Sequence, residues 1–136
     1  MTKEEFFAAL DQIRPGTSDR LVQFLESCAD LQLTSEVRRT LLTRMIIGEF
    51  KVIPFAVDSE GRVDIAYTPD KRFMQGYAQK LAHAVPGAVA KETPKYWTMQ
   101  KDGRRAYIWD VLDHQDGARA ALEELNRTLR EAAGEK

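Results

Sequence analysis

The feature that most constrains the fold is a pattern that occurs twice between residues 50 and 132: two alternating apolar stretches around a tight turn, followed by an amphipathic helix. The first hairpin is FKVIPFAVDSEGRVDIAY and the second is KYWTMQKDGRRAYIWDV. Asp58 to Gly61 and Asp102-Gly103 supply the residues that tight turns need, because aspartate and glycine tolerate the positive φ of primed hairpin turns. With the turns superposed, Gly61-Arg62 falls on Gly103-Arg104, and Ile65 and Tyr67 fall on Tyr107 and Trp109. Pro54 cannot donate a ladder hydrogen bond, so the first strand is expected at a sheet edge or with a bulge there. Thr68-Pro69-Asp70 reads as a helix start, with Phe73, Met74, Tyr77, Leu81 and Val85 inward and Pro86-Gly87 as the stop. Residues 87–94 read as a loop. Asp113-His114-Gln115-Asp116 opens a last helix that buries Ala118, Ala121, Leu122, Leu125 and Leu129.

Three helices are expected before this unit. Thr2 and Glu5 have the spacing of a capping box, and Phe6, Phe7, Leu10 and Ile13 share a face before Pro15-Gly16. Thr17 or Ser18 caps a second helix with Leu21, Val22, Phe24, Leu25, Cys28 and Leu31. Thr34 or Ser35 caps a third, with Val37, Leu41, Leu42, Met45 and Ile46 inward and Gly48 as terminator. The expected fold is therefore α+β: a four-stranded antiparallel ββαββα sheet with two helices on one face and an amino-terminal three-helix subdomain. A chain of 136 residues fits one domain, with residues 1–48 as the helical subdomain and 49–136 as the hairpin-helix-hairpin-helix unit.

Several function classes are excluded or weakened by composition. No apolar run approaches the roughly 20 residues of a membrane span, and the acidic, interrupted start does not resemble a secretory leader. The single Cys28 cannot form an internal disulfide, and its apolar neighbours mark it as a buried thiol in a reducing, cytoplasmic setting. No acyl-transfer, phosphate-loop or dinucleotide motif occurs, so no catalytic residue and no cofactor is assigned. Asp110, Asp113, His114 and Asp116 offer metal-ligand chemistry, but acidic groups at a helix start are explained by capping and the helix dipole, so no metal is assigned. His83 falls off the apolar stripe of its helix and is expected to be exposed.

Charge is uneven along a chain whose net charge is −1. Residues 1–37 carry −4 and 106–136 carry −3, whereas 38–48 carry +3 and 62–105 carry +5. A globally basic nucleic-acid binder is excluded, but a locally basic face is not. In the basic middle, cations alternate with aromatic side chains, a mixture suited to stacking and phosphate contact if the rings point to an open sheet face. Arg62, Lys71, Arg72, Arg104, Arg105, Trp97 and Trp109 are the candidate binding residues. A non-enzymatic protein that binds a macromolecular partner or itself through the sheet face is expected, with nucleic acid as the alternative ligand and no role at membranes.

Two DNA-directed alternatives rest on topology. The αββαββα order over residues 34–132 resembles that of the LAGLIDADG homing endonucleases, which implies a metal-dependent nuclease with Glu49, at the end of the LTRMIIGEF helix, as metal ligand. Arg44, Ile47 and Phe50 depart from that motif, and Arg44 stands where the family packs a small glycine. Three helices followed by a hairpin also outline a winged helix, with Arg38, Arg39 and Arg44 on the recognition helix.

Overall fold

The computed structural model describes residues 1–65 and 73–134. Among them the chain forms five α-helices, one 3-10 turn and an eight-stranded antiparallel sheet. The helices are α1 (Lys3–Ile13), α2 (Thr17–Ser27), α3 (Met74–His83), α4 (Ile108–Leu112) and α5 (Gln115–Ala132). The strands are β1 (Leu33–Val37), β2 (Leu41–Ile47), β3 (Phe50–Val52), β4 (Phe55–Val57), β5 (Val63–Ile65), β6 (Ala88–Glu92), β7 (Trp97–Lys101) and β8 (Arg104–Arg105). The main path across the sheet is β1-β2-β4-β5-β7-β6, with β3 beside β2 and β8 beside β7.

The capping box of α1 forms as expected, with the Glu5 amide donating to Thr2 Oγ1 at 3.1 Å and the Thr2 amide donating to Glu5 Oε1 at 3.2 Å. The third helix does not form. Its residues make the β1–β2 hairpin, paired from Leu33 opposite Met45 to Val37 opposite Leu41. Leu41, Thr43, Met45 and Ile47 are buried in strict alternation, with the β-branched residues that fit a pleated surface. This correction removes the topological argument for both DNA-directed alternatives, because no helix ends at Glu49 and no recognition helix carries Arg38 and Arg39. The expected four-stranded sheet and three-helix subdomain are not confirmed: Phe6, Leu10, Leu21 and Phe24 belong to the same core as the sheet residues Met45, Phe55 and Ile65.

Pro54 interrupts β3 and β4 in the middle of the sheet, not at its edge. The pairing against β2 shifts by one residue across it, from Met45 opposite Val52 to Leu42 opposite Ala56. The extra residue is a β-bulge. Thr43 Oγ1 fills the gap, donating to the Phe55 carbonyl at 2.8 Å and accepting from the Phe55 amide at 3.1 Å. Because the register changes, Phe50 and Val52 before the bulge and Phe55 and Val57 after it all turn to the helix side.

The second half also differs from expectation. Residues 88–92, expected as loop, form the edge strand β6 paired along β7. The hairpin at Asp102-Gly103 forms with both residues at positive φ, 55° and 77°, but its second strand stops after Arg105. Tyr107 then leads into α4, where Ile108, Val111 and Leu112 are buried at helical spacing and the Tyr107 amide is capped by Asp110 Oδ2 at 3.0 Å. Asp113 ends α4 and pairs with Arg20 at 2.9 Å instead of capping α5, whose start at Gln115 has no side-chain cap. The expected helix start at Thr68-Pro69-Asp70, and Tyr67, lie outside the described residues. The inward stripe of α5 is buried as expected. No helix among the described residues is long and apolar enough to cross a membrane.

Candidate functional site

Among the described residues the helices bury their apolar sides on one side of the sheet, so the opposite face is the natural place to look for function. Strand pairing sets one row across it, running from Glu36 on β1 through Leu42, Ala56, Asp64 and Thr98 to Lys91 on β6. At the spacing of hydrogen-bonded strands this row is about 24 Å long. Ala56, on the third of the six strands, is the smallest side chain that the strands present on this face. A groove of about 620 Å³ opens above it, with Leu42 and Ala56 as floor, Arg38, Arg39 and Thr40 along one side and Asp64 and Tyr96 on the other.

The face is basic. Arg38, Arg39, Arg44, Lys51, Arg62, Lys91 and Arg105 stand against Glu36, Asp58 and Asp64, seven cations to three carboxylates, a balance of +4 on a chain of net charge −1. Glu36 holds Arg44 at 2.7 Å and Arg38 at 2.9 Å, and these two guanidinium groups keep its carboxyl below the usual glutamate range. Asp64 pairs with Arg105. Burial raises the Asp64 carboxyl above the ordinary aspartate value, and Arg105 pulls it part of the way back. Arg39, Lys51 and Lys91 are exposed and make no ion pair among the described residues, so their charge is available to a ligand.

The residues expected to bind do not come together on this face. Of them only Arg105, and Arg62 at the end of β5, lie there among the described residues. Trp97 points into the core, opposite Ile65, and is 7% exposed. Trp109 sits on α4 with its ring stacked on Tyr107, centroids 4.4 Å apart and planes 10° from parallel. Arg104 lies over the outer side of Tyr107 at 5.3 Å, and Arg14 lies 5.9 Å from the Trp109 ring. Both indole and phenol faces are thus already engaged within the protein. Arg62 pairs with Asp58 at 2.7 Å and Glu60 at 2.8 Å beside the same stack. Lys71 and Arg72 lie outside the described residues.

The groove residues Arg38, Arg39, Leu42, Ala56, Asp64 and Tyr96 were accessible from sequence only through the period-two pattern of 41–47, which turns Leu42 and Arg44 away from Met45. Among the described residues no three His, Cys, Asp or Glu side chains are placed to hold a metal ion. Asp110, Asp113, His114 and Asp116 do not converge; Asp110 instead caps α4 and approaches Lys101 at 3.4 Å. Cys28 is buried, and burial raises its thiol pKa. His83 is exposed, as its position off the stripe implied. Comparison with known proteins gave no match: no family model, no curated protein and no solved structure is significantly similar to this chain.

Proposed function

We propose that this chain is a non-enzymatic binding protein that holds a protein partner on the sheet face opposite its described helices. The observation that carries this reading is the balance of seven cations to three carboxylates on one face of an otherwise slightly acidic molecule. Such an asymmetry steers an acidic partner to that face and orients it on arrival. Nucleic acid is the less favoured ligand, because the two tryptophans that would stack on bases are committed to the core and to Tyr107.

The test uses the intact protein, immobilised, with polyglutamate and a mixed-sequence single-stranded RNA as probes over a range of salt concentrations. The variant reverses the three unpaired cations, Arg39→Glu, Lys51→Glu and Lys91→Glu. Retention of polyglutamate by the native chain and its loss in the triple variant is the expected result. Equal retention by both proteins would remove the face from consideration. Preferential retention of RNA with a steep salt dependence would replace the protein partner with nucleic acid.

A further inference from the structure

The groove over Ala56 says more about the partner than the charge of the face does. Its floor is apolar, from Leu42 and Ala56, while Arg38 and Arg39 flank it at the β1–β2 turn. Glu36 answers Arg38, but nothing among the described residues answers Arg39. The groove is open along its length, so it would leave a small molecule largely in water. Side chains of an extended segment, which bring their own backbone as a cover, suit it better.

We propose that this groove seats an acidic segment of a protein partner, with one apolar side chain on Leu42 and Ala56 and neighbouring carboxylates at Arg38 and Arg39. The assignment rests on the binding role of the face and adds the chemistry of what is bound. The apolar anchor supplies the selectivity, since charge alone would accept any polyanion. A carboxylate at Arg39 gains a cation that has no internal partner to give up. Tyr96, on the far side, limits how wide the anchor can be.

The experiment compares two labelled peptides by fluorescence anisotropy against the whole protein: a leucine between two pairs of glutamates, and the same peptide with glycine in place of leucine. The leucine peptide is expected to bind about tenfold more tightly, as the partial burial of one leucine side chain implies. Ala56→Leu should fill the floor and abolish that advantage while leaving retention of polyglutamate intact. If Ala56→Leu does not fold, Leu42→Ser removes the floor from the other side and is expected to abolish the same advantage; thermal unfolding followed by circular dichroism checks both variants.

Equal binding of the two peptides, or an undiminished leucine advantage in a folded floor variant, would overturn the groove assignment. If polyglutamate retention still depends on Arg39, Lys51 and Lys91 in that case, the face remains a binding surface and only the groove is lost. If neither probe is retained, both readings fall. Displacement of the leucine peptide by single-stranded RNA at lower concentration than by polyglutamate would also overturn the assignment.

Discussion

The same strands build two sheet faces of opposite character. Toward the helices, Leu41, Met45, Val57, Val63 and Ile65 are at most 1% exposed. Toward solvent, the residues between them are Leu42, Arg44, Ala56 and Asp64, joined by cations from the turn and from β8. A side chain on the first face is fixed by everything around it, so it holds register and stability. On the second face Asp64–Arg105, Arg62–Asp58 and Arg44–Glu36 neutralise one another, and the remaining cations have no structural duty that would prevent their use in binding. Stability and the proposed recognition are thereby separated by the pleat itself.

Substitutions on the two faces should expose this division. The largest effect is expected from Ile65→Ala, which removes a wholly buried side chain beside Trp97 and should cost about 2–5 kcal/mol in urea unfolding. A cost near zero would mean that the helix-covered face is not the main source of stability. Next comes Thr43→Val, which keeps the volume but strands the Phe55 amide and carbonyl; about 1–3 kcal/mol should be lost. An unchanged midpoint would show that the bulge finds other partners.

A smaller effect is expected from Arg105→Ala, read through Asp64. The folded-state value of Asp64 lies above the ordinary one, so the folded chain holds this proton more tightly than the unfolded chain does. Its favourable contribution to folding is therefore present at low pH and lost as pH rises through the folded-state value. Removing Arg105 takes away the group that opposes the shift, so the Asp64 carboxyl should titrate at still higher pH by NMR. Movement in the opposite direction would show that Arg105 does not govern it. Least of all should come from Ile46→Ser on the open face: Ile46 is 52% exposed, and its loss should change stability by no more than about 0.5 kcal/mol. A larger loss would place Ile46 in a contact that the monomer does not show.

Much of the helix-covered face was legible in the sequence, and little of the open one. The α5 stripe and the part of the first hairpin after Pro54 follow from periodicities with no competing interpretation, whereas the bulge breaks the period before it. LLTRMII is different, because Leu41 and Met45 satisfy both a helical and a strand period; Thr43 and Ile47, which belong only to the strand set, carry the deciding information. AYIWDV has the same ambiguity. Ile108, Val111 and Leu112 suit a helix as well as Tyr107 and Trp109 suit a strand, and capping of Tyr107 by Asp110 favours the helix. The β6 segment was unreadable for another reason: an edge strand of alanines and charged residues buries too little to show a period. The groove depends on neighbours from separate strands, so no local pattern could announce it. The candidate residues chosen for basic and aromatic content were displaced for the same reason: alternation and helix formation, not composition, decided where Trp97 and Trp109 point.

The bulge at Pro54 acts as a phase correction in the alternation of one strand. Phe50 and Val52 face the helices on even positions, and Phe55 and Val57 do so on odd ones. Deleting Pro54 would make the pairing with β2 continuous and would leave Phe50, Val52, Phe55 and Val57 in plain alternation, all still facing the helices. Straightening the strand with Pro54 kept in the ladder would instead force a choice between burying the first pair and burying the second, with Ala56 or Lys51 carried inward. The bulge that sets Pro54 outside the ladder is thus what lets one strand keep Phe50, Val52, Phe55 and Val57 inside while leaving the shallow point of the open face at Ala56.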